Sequence, residues 1–195
     1  MENKKQKNKD ESVVNLLLKL LEEKDPYTIG HDKQVAKLSI FIAKEMNFNQ
    51  GEIKKVEIAS ILHDIGKIFI PSNILNKPSQ LTEEEYSFIK RHSEIGCRIL
   101  EIIGLDEFIP EIVKEHHEKI NGSGYPRGLK TNEILLPAKI LCVSDVVEAM
   151  LSDRPYRKKL SIEEAIEEIT KNRGILYEPV VVDICIRIFK NGFKF

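Results

Sequence analysis

The chain carries five histidines, His31, His63, His92, His116 and His117, and their placement is where chemistry first becomes visible. On a helical repeat, His31 precedes Val35 by one turn and continues the apolar stripe Val35, Leu38, Ile42. His116 completes Ile109, Ile112, Val113 at i+7, and Asp145 completes Ala138, Leu141, Cys142 in the same way. His63 and Asp64 close the apolar segment from Ile53 to Leu62. An aspartate that faces a core is costly unless it is paired or bound to a metal. A single histidine on an apolar face is more often a core residue with a satisfied hydrogen bond than a ligand. Nearly all the histidines, turned inward from several helices together with two aspartates, fit a metal centre better. Imidazole and carboxylate suit manganese, iron, zinc or nickel, and inward-facing sets of this kind build dinuclear sites in helical bundles. Cys97, Cys142 and Cys185 lie far apart and make no CxxC pair, which argues against a structural zinc site and a disulfide framework and for a reducing cytoplasm.

Helices must position these groups, and the pattern is helical almost throughout. Val13, Leu16, Leu17, Leu20 and Leu21 open the series, followed by stripes through Met46, Val113, Ile169 and Ile188. Asp25-Pro26 reads as a helix start, and Asn49 with Glu52, Thr82 with Glu85 and Ser161 with Glu164 read as capping boxes. No segment alternates as a strand would. Two loops stand out, Gly66 to Pro78 and Asn121 to Gly128. The predicted fold class is all-α: a helical bundle with two irregular loops. Residues 1–11 are expected to form a polar, mobile tail and 12–195 a single domain, whose first helix, 12–24, fits a linker, a dimer contact or packing on its own domain equally well. The 195 residues suit one domain, and 42% apolar composition is enough for a core. Lys and Arg number 30 against 31 Asp and Glu, so a cationic coat for nucleic acid is not expected. Apolar runs of about six residues fall far short of the roughly 20 a membrane helix needs.

The motifs then point to a family. His63-Asp64-Ile65-Gly66-Lys67 resembles the HD-x-GK signature of the HD phosphohydrolase superfamily. His116-His117-Glu118 followed by Gly122-Ser123-Gly124-Tyr125-Pro126 resembles the HHE…GSGYP signature of its HD-GYP branch. Tyr27-Thr28…His31, Ile70-Pro71…Lys77-Pro78 and Ser152-Asp153-Arg154-Pro155-Tyr156-Arg157 extend the likeness from about Tyr27 to Pro179. The resemblance implies an HD-domain helical bundle with a buried dinuclear metal centre and a GYP loop. It also implies hydrolysis of cyclic di-GMP to pGpG or GMP. One metal would be held by His31, His63, Asp64 and Asp145, and the second by His92, His116 and His117, with Asp64 bridging. The trinuclear subgroup has a glutamate where this chain has Tyr27, so two divalent ions are expected, iron or manganese first and zinc, nickel or magnesium as alternatives.

A metal pair lowers the pKa of bound water towards about 7 and polarises a phosphodiester. Beside it, Asp64 and Lys67 are the expected catalytic residues. Lys67, Tyr125, Glu148, Arg154 and Arg157 are the expected substrate contacts, the arginines gripping a second phosphate. The chain departs from the family pattern at Asn121, Lys139, Glu148 and Tyr177-Glu178-Pro179, none of them a ligand position. Expected partners are cyclic di-GMP or a related cyclic dinucleotide, a second copy of the chain, and a sensor domain or diguanylate cyclase. DNA and membrane are not expected. The competing readings are an HD-type enzyme for another nucleotide phosphoester, a non-catalytic cyclic di-GMP sensor, and, more distantly, a di-iron oxygenase.

Overall fold

A computed structural model describes residues 2–25, 30–153 and 158–195, with side chains from Ser12 onward. Among the described residues the chain is helical, and the only β-type pairings are two isolated bridges, Asn121 with Lys130 and Arg173 with Tyr177. The helices are α1 (Glu2–Lys24), α2 (His31–Glu45), α3 (Gln50–Leu62), α4 (Ser72–Leu75), α5 (Glu83–Lys90), α6 (His92–Ile103), α7 (Phe108–Glu115), α8 (Leu136–Leu151), α9 (Ile162–Lys171) and α10 (Pro179–Lys190). None of them is long and apolar enough to cross a membrane.

The three predicted capping boxes are present. Asn49, Thr82 and Ser161 accept from the backbone amides of Glu52, Glu85 and Glu164, whose carboxylates return the bond. Each satisfies amides that a helix start leaves without partners. Two expectations change. The polar run ahead of Val13 is continuous with α1, which begins at Glu2. The segment from Gly66 to Pro78 is not simply a loop: Ile65–Phe69 forms a 3-10 turn and Ser72–Leu75 the short α4. The helix start at Asp25-Pro26 falls on 26–29, outside the described residues, as does Tyr27.

The core has two parts. In one, Leu38 and Ile42 of α2 and Val56 of α3 pack with Val143 and Val147 of α8, Ile169 of α9 and Val181 of α10. In the other, Leu21 of α1 and Val35 of α2 pack with Leu62 of α3, Leu100 of α6, Ile112 of α7 and Leu141 of α8. Burying each such side chain contributes about 1.5–3 kcal/mol. The second part matters for function. Each of its helices except α1 has a candidate ligand within it or at its end: His31, His63, His92, His116 and Asp145.

One close approach makes this arrangement possible. A Cβ on Gly66 would lie 1.9 Å from the His92 carbonyl oxygen and 2.7 Å from the Gly96 amide nitrogen. Only glycine lets the 3-10 turn that follows His63-Asp64 lie against α6. Gly66→Ala is therefore expected to lower stability by about 2–4 kcal/mol, measured by chemical denaturation. An unfolding curve that superimposes on that of the wild type would contradict this account.

Candidate metal centre

Three histidines are aimed by the same device. His63 lies one residue past α3 and donates from Nδ1 to the Ser60 carbonyl at 2.8 Å. His92 opens α6 and donates from Nδ1 to the Ile89 carbonyl at 2.7 Å. His116 lies one residue past α7 and donates from Nδ1 to the Val113 carbonyl. Ser60 and Val113 sit in the last turns of α3 and α7, where carbonyls lack an intrahelical amide; the Ile89 carbonyl, in the last turn of α5, also accepts a backbone amide at the C-cap. With Nδ1 so engaged, Nε2 keeps its lone pair for a metal.

His31 is built differently. It opens α2, and a helix start offers spare amide donors but no spare carbonyl. Its Nδ1 instead meets Glu148 Oε2 of α8. Glu148 is buried, and its Oε1 accepts from Ser152 Oγ at 2.6 Å. Both carboxylate oxygens are thus occupied. Glu148, expected at the substrate, stands behind His31 and orients it.

The free nitrogens and the carboxylates converge. His31 Nε2 lies 3.2 Å from Asp145 Oδ1, which lies 3.8 Å from His63 Nε2. His63 Nε2 lies 3.5 Å from Asp64 Oδ2. The other oxygen, Asp64 Oδ1, lies 3.5 Å from His92 Nε2, which lies 3.3 Å from His116 Nε2. Donor atoms of His92, His116 and His117 fall within 4.8 Å of one another. Asp64 therefore presents one oxygen to each half of the set.

The protonation states suit ligation. Burial pushes His92 down to about 4, His116 to about 3 and His117 well below its usual range, so all three imidazoles are neutral near pH 7. Burial would raise Asp64, but Lys67, His63 and His92 hold its carboxyl well below the usual range. Asp145 is held down likewise, against burial, by its bond to His31 and the charge of His63. Burial disfavours a charged His31, yet Asp145 and Glu148 on its two nitrogens raise it to about 10 in the metal-free centre. A set of neutral imidazoles and ionised carboxylates is the form that binds a divalent ion; the residues fit two such ions, with His31 giving up its proton as one is bound. The set formed by Cys97, Glu101 and Glu111 fits less well. Glu111 is paired with Lys114 and Arg127, and burial pushes the Cys97 thiol up to about 12.

Lys67 Nζ lies 2.5 Å from Asp64 Oδ2. Burial disfavours its charge, but Asp64 more than offsets this and keeps it protonated. Tyr125 stacks on His117 with ring centroids 4.7 Å apart and planes at 34°. Its loop folds back on the ligand segment: the Tyr125 amide donates to the His117 carbonyl, and a Cβ on Gly124 would lie 2.4 Å from the Lys119 nitrogen. Arg154 and Arg157 lie outside the described residues.

Several residues were not singled out by sequence reasoning. Asp32 is buried with Oδ1 unpartnered, 3.6 Å from His63 Nδ1, and burial raises it to about 7. Glu118, quoted only as part of a motif, accepts from the Arg127 and Leu129 amides at 2.7 and 2.9 Å and pins the loop. Glu115 accepts from the Arg127 guanidinium and from the Leu135 amide, tying the same loop to the start of α8. The one available signal was two glutamates three apart beside an apolar stripe. Two departures from the family pattern meet each other: Lys139 Nζ pairs with Glu178 at 2.8 Å. A third, Asn121, accepts from the Ser123 amide and hydroxyl and shapes the loop.

A model of the HD domain family matches residues 15–181. Over 180 residues the chain is 42% identical to a cyclic di-GMP phosphodiesterase of Thermotoga maritima, covering 91% of this chain and 49% of that protein. It is 35% identical over 182 residues to the cyclic di-GMP phosphodiesterase response regulator RpfG of Xanthomonas campestris, covering 92% and 48%. The chain thus spans about half the length of these curated relatives. Its fold matches the crystal structure of a cyclic GMP-AMP specific phosphodiesterase of V. cholerae with a TM-score of 0.69 at 18% identity, over 92% of this chain and 47% of that one.

Two outcomes follow from the geometry. Glu148→Ala frees His31 Nδ1 and is expected to weaken metal affinity about 10–100-fold, read by calorimetric titration with Mn²⁺; unchanged affinity would refute the orienting role. The second concerns acid. Unfolded histidines titrate near 6.5, whereas folded His92 and His116 titrate near 4 and 3, with His117 also depressed. The unfolded chain therefore binds the extra protons, and stability falls as pH drops below about 6.5. Asp32, raised to about 7, and His31, raised to about 10, oppose this as two groups against three, His31 only down to about 6.5, where its unfolded form takes up a proton too. The metal-free protein is expected to show a lower denaturation midpoint at pH 5 than at pH 7; an equal or higher one would be inconsistent with neutral buried imidazoles.

Proposed function

The chain belongs to the HD domain family, and from that premise we propose that it is a metal-dependent phosphodiesterase acting on a cyclic dinucleotide, cyclic di-GMP first among them. One observation carries the reading: Asp64 turns one oxygen to His63 and the other to His92, between two sets of inward imidazoles. In this reading His31, His63, Asp64 and Asp145 hold one divalent ion. Asp64, His92, His116 and His117 hold the other, with iron or manganese as the native metals. Such ions, when bound, supply a water of lowered pKa and polarise a phosphodiester.

The chain's own residues supply the rest. Lys67 keeps an ammonium beside Asp64, where it neutralises a non-bridging phosphate oxygen of the substrate. Tyr125, stacked on His117, forms one wall against the sugar or base. Glu118 and Glu115 hold the loop that carries it. Arg154 and Arg157 are proposed for the second phosphate on their charge and fork geometry. A cytoplasmic setting, a homodimer and a sensor or cyclase partner belong to the same proposal. They rest on the likeness to signalling relatives of about twice the length.

The test is direct. Protein purified without oxygen is loaded with Fe²⁺ or Mn²⁺ and given cyclic di-GMP, cyclic GMP-AMP and cyclic di-AMP, with products followed by chromatography. Release of pGpG or GMP is expected, along with loss of product below detection in Asp64→Ala. Wild-type turnover in that variant, or no product from any cyclic dinucleotide with either metal, would sink the reading.

A further inference from the structure

We propose that Tyr86 and Lys90 of α5, together with Tyr125, form a nucleotide subsite at the His92–His116–His117 end of the centre. Lys90 takes a phosphate there and Tyr86 a purine base. The inference rests on the phosphodiesterase reading and extends it to residues assigned no role so far.

α5 runs directly into α6, whose first residue is His92, so its last turn stands at the edge of the centre. Tyr86 and Lys90 are four residues apart and share one face of it. Lys90 Nζ lies 5.2 Å from the Tyr86 ring centroid and 6.0 Å from that of Tyr125. The Tyr125 ring in turn lies 4.7 Å from His117 and 6.4 Å from His92. A continuous path of rings and one cation therefore leads outward from the ligands to Tyr86.

Packing does not account for these side chains. α5 contributes no buried residue to either part of the core, and Tyr86 is 48% exposed. The helix is nevertheless firmly placed, by the Thr82–Glu85 capping box and by Lys77 on Glu85 at 2.6 Å. Lys90 forms no ion pair among the described residues, whereas Lys67, Lys77, Lys114 and Lys139 each face a carboxylate. A half-buried ammonium without a counter-charge, set between two tyrosine rings, matches a ligand that brings a negative charge and a flat aromatic system together. A nucleotide is such a ligand: the ammonium binds phosphate as a point charge, and the ring accepts a stacked base, worth about 1–3 kcal/mol. A cyclic dinucleotide has two phosphates. With one at the metal centre, the other, proposed above for Arg154 and Arg157, is shared with Lys90, and its adjoining base is received by Tyr86.

The experiment compares two substrates on metal-loaded protein: cyclic di-GMP and bis(4-nitrophenyl) phosphate, a diester with no second phosphate and no base. Lys90→Ala is expected to raise KM for cyclic di-GMP about tenfold or more, as loss of a charged hydrogen bond implies. Its loss on the small diester should be about tenfold less. Lys90→Arg should restore most of the affinity, and Tyr86→Ala should raise KM where Tyr86→Phe does not. Metal content, measured by elemental analysis, should match the wild type in all four. Unchanged KM in Lys90→Ala, or equal losses on both substrates, would overturn the subsite while leaving the phosphodiesterase reading intact. A metal-loaded wild type that neither binds cyclic di-GMP in calorimetry nor hydrolyses it would overturn both.

Discussion

A helix that stops leaves its last carbonyls without amide partners, and this centre is organised around that fact. The carbonyls of Ser60, Ile89 and Val113 each take an Nδ1–H from a histidine three residues on. The hydrogen bond closes the helix end, fixes the tautomer and turns Nε2 towards the interior in one step. Ligand direction is therefore a consequence of where α3, α5 and α7 end. A shift of one residue would rotate the imidazole by about 100° around the helix axis and carry it out of the site. The bundle and the metal centre are thus specified by the same few positions, which is why Gly66, remote from catalysis in itself, sits where no Cβ fits.

Charge is the second constraint. Burying an unpaired carboxylate or ammonium costs several kcal/mol, and this interior buries both. Asp64 is faced by Lys67, and Asp145 by His31, which the flanking acids keep protonated without metal. The cations stabilise the carboxylates in the ionised form that ligation needs. The neutral triad His92, His116 and His117 adds donors without adding charge. Apart from His31, which must lose its proton to an arriving ion, the candidate donors are in their binding form beforehand, and the cost of gathering them is met by the folding of α2, α3, α6, α7 and α8 around the second part of the core.

What the sequence made legible divides along physical lines. Helical periodicity showed which faces turn inward, and the structure buries His31 and His116 and half-buries Asp145 on those faces. The capping boxes at Asn49, Thr82 and Ser161 were legible because both halves of each bond lie within four residues. Long-range contacts were not. Glu148 meets His31 only because α8 packs across the start of α2, and a charge at that position reads equally well as a substrate contact. Glu118 acts on backbone amides nine and eleven residues away, which carry no side-chain signature. Nothing local to Tyr86 and Lys90 reveals that the neighbouring helix begins with a candidate ligand. The polar residues before Val13 lack an apolar stripe, so periodicity gave no hint that α1 extends through them.

The departures from the family pattern at Asn121, Lys139, Glu148 and Glu178 fall in the supporting structure. At the foot of α8, Lys139 pairs with Glu178, the residue before α10, so two of the positions set apart in the sequence are tied to each other. Glu148, one carbon longer than the usual aspartate, spans from α8 to the first residue of α2 and still reaches Ser152 with its other oxygen. Asn121 keeps the hydrogen bonds that start the loop after His117 while removing a charge from its rim. Glu148, Lys139, Glu178 and Asn121 each make a specific contact in the supporting structure. The candidate ligands are held more narrowly, because an imidazole fixed at Nδ1 by a helix end has one direction in which to offer Nε2.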